Sequence, residues 1–139
     1  MAHVHGFERL ICAIHIWQTH GQASIKKWNC KITGIAGFVT GALAEQAVDA
    51  AYLSVGQLGL HPRSYLLDYW TETVRAVGAR RVVPIHWDDF FRPLSKPLRA
   101  LPYAGDDLNA SMRILDELAA QDGVALDMPT VWQREDPWA

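Results

Sequence analysis

Residues 81–91 read RVVPIHWDDFF, and this stretch decides the fold of the chain. Its first five residues form a short apolar run dominated by Val and Ile, which is typical of a buried strand. His86 then lies where this strand ends, and open α/β sheets place their ligands in the crevice beyond the carboxyl ends of strands. Pro84 has no N–H to give to a neighbouring strand, so we expect this strand near an edge or an end of its sheet.

A helix is predicted before this strand, over residues 62–77. Pro62 suits the first turn of a helix, where an N–H would have no intrahelical partner. Apolar residues then recur at helical spacing, which gives the helix one apolar face. These residues are Leu66, Tyr69, Trp70, Val74 and Val77. Gly78 is well placed to end the helix, with Arg75 near its negative end.

The flanking segments extend the same alternation of strands and helices. Residues 48–55 predict a mostly buried strand that ends at the GQLG sequence of residues 56–59. A second helix starts at Asp106 and Asp107, which are good N-cap residues, and stops at Gly123. Its inward positions are Leu108, Met112, Leu115 and Leu118. Residues 43–46 predict one helical turn and residues 124–128 a last strand, so the order indicates a layered α/β fold.

The composition is that of one globular domain. Half of the 139 residues are apolar and 20% are charged. The net charge of -2 excludes a basic nucleic-acid-binding surface spread over the whole molecule. No apolar run approaches the roughly 18 residues of a membrane span, so we expect no membrane partner. Glu8 and Arg9 interrupt the first apolar stretch, and two cysteines are too few for a disulfide scaffold, which favours a cytoplasmic protein.

The first thirty residues differ from the rest of the chain. Three of the four lysines stand at or before Lys31, whereas beyond residue 60 every basic residue except Lys96 is Arg. We interpret residues 1–30 as an atypical segment with a strand within residues 10–17, residues 31–128 as the domain and residues 129–139 as a polar tail. An unrelated amino-terminal extension and an upstream reading-frame error both remain open.

The order of elements over residues 31–128 resembles the C-terminal half of metallo-β-lactamase-fold hydrolases. In that superfamily a strand ending in Gly, here residues 52–56, is followed by a helix and a strand of the form V-[IV]-P-x-H, here residues 82–86. The resemblance implies a partial αββα sandwich in which His86 is a zinc ligand and Asp88 orients it. In the intact family, zinc-bound hydroxide performs hydrolysis; the sequence does not specify the small-molecule substrate.

Two positions of this sequence depart from the family pattern. Residues 33–38, TGIAGF, resemble a turn that usually supplies a bridging aspartate, but Ile35 stands there and cannot bind a metal. The expected upstream motif H-x-H-x-D-H is not found, because His3 and His5 are followed by Phe7 and Glu8. A hydrolytic zinc site needs about three protein ligands. We therefore expect little or no hydrolase activity from this chain alone.

The other histidines, and the acidic residues near His86, are further candidates for metal ligands. His15 and His20, five residues apart, do not share a face of a strand, and we interpret them, like His3 and His5, as non-ligands. His61, directly before Pro62, is interpreted as a loop residue near the mouth of the site. Asp89 is an alternative to Asp88 as a residue that orients His86 or binds the metal.

Basic residues near His86 allow a second role. Arg92 and Arg99, or Arg80 and Arg81, can bind an anionic substrate, with ordinary solvated surface charge as the alternative. At the level of the whole chain, the alternative function is a non-catalytic binding or assembly module that self-associates through an uncovered sheet or helix surface. A half-site completed by a partner chain carrying H-x-H-x-D-H is the third hypothesis.

Overall fold

The computed structural model describes residues 30–32 and 36–130. Its elements are β1 (Cys30–Ile32), β2 (Ala50–Ser54), a 3₁₀ turn (Leu58–Leu60), α1 (Arg63–Trp70), a π-helical turn (Thr71–Arg75), β3 (Arg81–Ile85), α2 (Leu108–Asp122) and β4 (Ala125–Leu126). The predicted strand within residues 10–17 and the residues 33–35 lie outside this described part. Among the described helices, none has the length and apolar character needed to cross a membrane.

The four described strands form one parallel sheet in the order β1-β2-β3-β4. The longest pairing joins β2 to β3 and runs from Ala50 opposite Arg81 to Ser54 opposite Ile85. Parallel neighbours require crossover connections; α1 lies in the connection from β2 to β3, and α2 in the connection from β3 to β4. The two helices also pack against each other, so they cover the same face of the sheet. The predicted α/β class is confirmed, and the carboxyl ends of all the strands meet at one edge.

The core lies between the sheet and the two helices. Alternate residues of the central strands, among them Leu53 and Val82, point into it and are fully buried. From the helices it receives the apolar faces that the spacing predicts, with these side chains fully buried: Leu66, Tyr69, Trp70 and Leu115. Burying one large apolar side chain contributes about 1.5–3 kcal/mol. This packing therefore stabilises the central strands against the two helices.

Most helix ends follow the sequence signals. Asp107 caps α2, since its Oδ1 accepts a hydrogen bond from the Ala110 N–H at 3.0 Å. Gly123 and Gly78 have left-handed backbones, φ 66° and 65°, that end α2 and the first helical region. That region is α-helical only to Trp70, because the next residues form a π-helical turn.

Pro84 does not lie in an edge strand, which corrects the sequence expectation. β3 is an internal strand with β2 on one side and β4 on the other. The carbonyls of Arg80 and Val82 accept hydrogen bonds from the β4 side, so the alternate residue Pro84 also faces that side. β4 pairs only with Arg81 and Val82, and the missing N–H of Pro84 therefore falls beyond the end of β4.

The other differences concern the ends of elements. The strand predicted over residues 48–55 is formed by Ala50–Ser54, and the strand predicted over residues 124–128 shrinks to Ala125–Leu126. Residues 40–45 form successive turns instead of the predicted helical turn. The element order is unaffected by these shifts.

One carboxylate links the end of α2 to the first helical region. Asp122 accepts hydrogen bonds from the Arg75 Nε at 2.6 Å and from the Trp70 Nε1 at 2.7 Å. The Arg75 guanidinium, and then the Trp70 indole, lower the pKa of Asp122. The interaction thus adds a polar contact between the two helical regions, as does the ion pair between Arg63 of α1 and Glu117 of α2 at 2.7 Å.

We expect Asp122→Asn to lower the free energy of unfolding at neutral pH by about 1 kcal/mol, because the ion pair is lost. The contribution of Asp122 is complete above its unfolded-state pKa of about 3.9 and disappears as the pH falls through its lower folded-state pKa. Urea unfolding of both proteins at several pH values measures this difference. A difference that stays constant down to about pH 2 would contradict the assignment.

Candidate functional site

Two strained residues mark the carboxyl edge of the sheet. Gln57, after β2, has φ 65°, and His86, after β3, has φ 58°. They are the two residues other than glycine with positive φ in the described ranges. A left-handed backbone costs such residues of order 1 kcal/mol and persists where the surroundings hold it, often at functional sites. The ends of the two longest strands are therefore the first place to look for a site.

His86 packs directly against Gly56. A Cβ atom on residue 56 would lie 2.7 Å from the His86 carbonyl oxygen and 3.2 Å from the imidazole Cδ2. Only glycine allows the backbones to approach so closely without displacing one of them. The backbone pairing of β2 with β3 continues up to this contact, because the Val55 N–H donates to the Ile85 carbonyl at 2.9 Å. The imidazole therefore lies across the end of β2, and His86 remains exposed.

Asp106 holds the turn that follows β2. Its buried carboxylate accepts hydrogen bonds from the Gln57 N–H at 3.0 Å and from the Gly59 N–H at 3.1 Å. Asp106 and Asp107 are both predicted as N-cap residues from the sequence. Asp107 alone caps α2, and Asp106 instead reaches across to the turn. These two bonds stabilise the left-handed Gln57 and, through it, the position of Gly56 under His86.

Tyrosines of α1 bond to the end of β2 and to the segment that follows β1. The Tyr69 hydroxyl donates to the Ser54 carbonyl at 2.8 Å, and the Tyr65 hydroxyl donates to the Ala36 carbonyl at 3.0 Å. Phe38 lies beside both rings. His61 is exposed and stacks on Tyr65 with the ring centres 4.1 Å apart, as expected for a loop residue on this edge.

The two aspartates after His86 have different surroundings. Asp88 forms a backbone bridge with Ala100, and its carboxylate makes no hydrogen bond with His86 or any other described residue. Its role in orienting His86 thus stays a prediction. Asp89 is buried, and its carboxylate accepts from the Arg99 Nη2 and from the Phe91 N–H, each at 3.2 Å. Asp89 therefore holds its own loop together.

The described residues do not form a complete zinc site. Over residues 30–32 and 36–130, no group of three His, Cys, Asp or Glu side chains could hold a metal ion. A hydrolytic zinc needs about three protein ligands, and His86 offers one imidazole. Ile35 and the four amino-terminal histidines fall outside the described part.

The arginines proposed for an anionic substrate separate into two groups. Arg80 and Arg81 precede or begin β3, at the edge opposite His86, and pair with Asp49 at 2.8 Å and Asp127 at 2.9 Å. Their ion pairs stabilise the edge of the sheet opposite His86. Both arginines therefore lie too far from His86 to bind a substrate beside it. Arg92, in contrast, belongs to the loop after His86.

Two features of the site were not predicted from the sequence. These are the hydrogen bonds from the turn after β2 to Asp106 and the left-handed backbones of Gln57 and His86. The sequence feature that comes closest to indicating this geometry is the pair of glycines in GQLG, because a Cβ on Gly56 or Gly59 would overlap other backbone atoms.

Comparisons with models of known protein families, with curated proteins and with solved structures give no match to this chain. The inference about function therefore rests on the geometry of this edge.

We expect Gly56→Ala to destabilise the protein by about 1–3 kcal/mol, because the added methyl forces His86 away from β2. Gly105→Ala is the matched control, since a Cβ there meets its nearest neighbour at an ordinary 3.5 Å. Urea unfolding measures both changes. Equal stability of the two variants would contradict the close contact between Gly56 and His86.

Proposed function

We propose that this chain is part of a metal-dependent hydrolase similar to the metallo-β-lactamase-fold enzymes. In this proposal residues 31–128 correspond to the C-terminal half of a partial αββα sandwich, and His86 is one zinc ligand at the carboxyl edge of the sheet. The chain alone has little or no hydrolase activity. The remaining ligands come from outside the described residues or from a partner chain carrying H-x-H-x-D-H.

The observation that carries the proposal is the setting of His86. Its backbone is held in a left-handed conformation at the end of an internal strand, and Gly56 makes room for its ring. The imidazole contacts Phe90, with ring centres 5.5 Å apart, but has no hydrogen bond with any described residue. An exposed imidazole whose nitrogens make no hydrogen bond to the described residues is available to bind a metal ion.

One ligand limits what this half can do. A zinc ion lowers the pKa of its bound water to about 7 when the protein supplies about three ligands and leaves one coordination position for the water. The neighbouring acidic residues do not complete such a set, because Asp89 pairs with Arg99, Asp106 holds the turn after β2, and the unpaired Asp88 with His86 would give two ligands at most. The described residues hold one donor in place, and no catalytic step follows from them.

We expect the purified chain to retain well below one equivalent of zinc after dialysis, since a single imidazole binds zinc weakly. Added Co²⁺ should broaden the amide NMR signals of Gly56, His86 and Phe90 through this weak binding. His86→Ala should abolish the broadening, whereas His61→Ala, the matched control on the same edge, should preserve it.

Two results would contradict the proposal in different ways. A full equivalent of tightly held zinc that disappears in His86→Ala would show that the chain holds a complete site. Broadening that is unchanged in His86→Ala would remove His86 as a metal donor.

The second candidate is a non-catalytic assembly module. It is favoured by exposed aromatic side chains beside the site, since Phe91 is 80% exposed and Phe90 56%. Large exposed apolar residues in a contiguous group mark interaction surfaces. Sedimentation velocity distinguishes the candidates, because an assembly module forms oligomers that Phe91→Ser dissolves.

A further inference from the structure

We propose that the loop after His86 binds an anionic small molecule with an apolar body. The loop comprises residues 89–99 and is called the aromatic loop below. The inference rests on the proposed function in one respect: it places the substrate of that site beside His86. It names the substrate class, a carboxylate, sulfonate or phosphate carried on an aromatic or aliphatic group.

The first support is a continuous apolar ridge. The Phe90 ring centre lies 5.5 Å from that of His86 and 4.4 Å from that of Phe91. Phe90, Phe91 and Leu94 are 56%, 80% and 64% exposed. The ring contacts run from the candidate ligand His86 through Phe90 to Phe91, and Leu94 is a further exposed apolar residue of the same loop. An apolar group bound along it would leave water while remaining next to the imidazole.

The second support is the distribution of charge. Six ion pairs join arginines to carboxylates among the described residues, and they involve Arg63, Arg75, Arg80, Arg81, Arg99 and Arg113. Arg92 and Lys96 have no ion-pair partner within residues 36–130. Both lie in the aromatic loop, and no acidic residue occurs between Phe90 and Gly105. The positive charge left unpaired over this range therefore lies in the same loop as the apolar ridge, and the unpaired carboxylate of Asp88 lies directly before that loop.

The third support is that the loop is anchored. Its two ends are joined by the bridge between Asp88 and Ala100 and by the Asp89 N–H donating to the Arg99 carbonyl at 2.8 Å. The Asp89–Arg99 ion pair reinforces the same point. Binding to such a closed loop costs less ordering than binding to an open chain.

The charge also favours a small anion over a second copy of this chain. In a two-fold symmetric contact through this loop, Arg92 and Lys96 of one copy would lie in the same interface as Arg92 and Lys96 of the other. Like charges in such an interface repel each other. An anionic ligand removes this conflict, since its charge complements the two cations while its body covers the phenyl rings.

The test compares three probes in calorimetric titrations of the full chain, with a chelator present to exclude metal. Naphthalenesulfonate carries both features, naphthylmethylammonium reverses the charge, and methanesulfonate lacks the apolar body. We expect saturable binding of naphthalenesulfonate, about two- to fivefold tighter than that of the cation, and none of methanesulfonate. Amide NMR shifts should be confined to His86 and the aromatic loop.

Variants assign the binding to the loop. Phe91→Ser should weaken it about fivefold and Lys96→Glu about two- to fivefold, while Lys96→Arg retains it. Val39→Ser, an exposed apolar residue outside the loop, is the control and should change nothing. Equal affinity for both charged probes, or equal losses in Phe91→Ser and Val39→Ser, would overturn the proposal. So would binding to phosphatidylglycerol vesicles without saturable binding of free naphthalenesulfonate, which indicates a lipid surface instead.

Because the titrations exclude metal, they test the binding of an anion to the aromatic loop independently of the proposal that His86 binds a metal. Failure of the probes to bind leaves His86 as a metal donor untouched. Failure of Co²⁺ to act on His86 leaves the binding of naphthalenesulfonate to the aromatic loop intact.

Discussion

The contact between Gly56 and His86 is the constraint on which the carboxyl edge of this protein depends. It joins the ends of the two longest parallel strands at a distance that excludes even a methyl group. At this contact His86 has a left-handed backbone, and Asp106 holds the turn after Gly56 with two hydrogen bonds. The exposed imidazole therefore starts from a backbone position that both strands define.

Much of the fold could be predicted from the sequence because its signals are local. The strand Arg81–Ile85 was predicted to the residue from a five-residue apolar run, and α2 from its Asp107 cap, helical spacing and Gly123 stop. Pro84 misled the placement of β3 in the sheet, since its effect depends on where β4 ends. The length of a neighbouring strand is not encoded near Pro84.

The site was less predictable, because its geometry comes from contacts between distant parts of the chain. His86 was found through its position after a strand, whereas Asp106 bonds to residues 47 and 49 positions away and resembles an ordinary helix cap in the sequence. The arginines show the same limitation. Arg81 and Arg92 are both arginines close in sequence to His86, but Arg81 begins β3 at the opposite edge of the sheet, whereas Arg92 lies in the loop after His86.

The central claim is that the His86 imidazole is held against the end of β2, and a nuclear Overhauser measurement tests it most directly. In isotopically labelled protein, one Hα proton of Gly56 should show a strong cross-peak to the Hδ2 proton of His86, because a Cβ in that direction would lie 3.2 Å from the Cδ2 atom. A missing cross-peak, with both resonances assigned and the strand pairing of Val55 with Ile85 intact, would contradict the account.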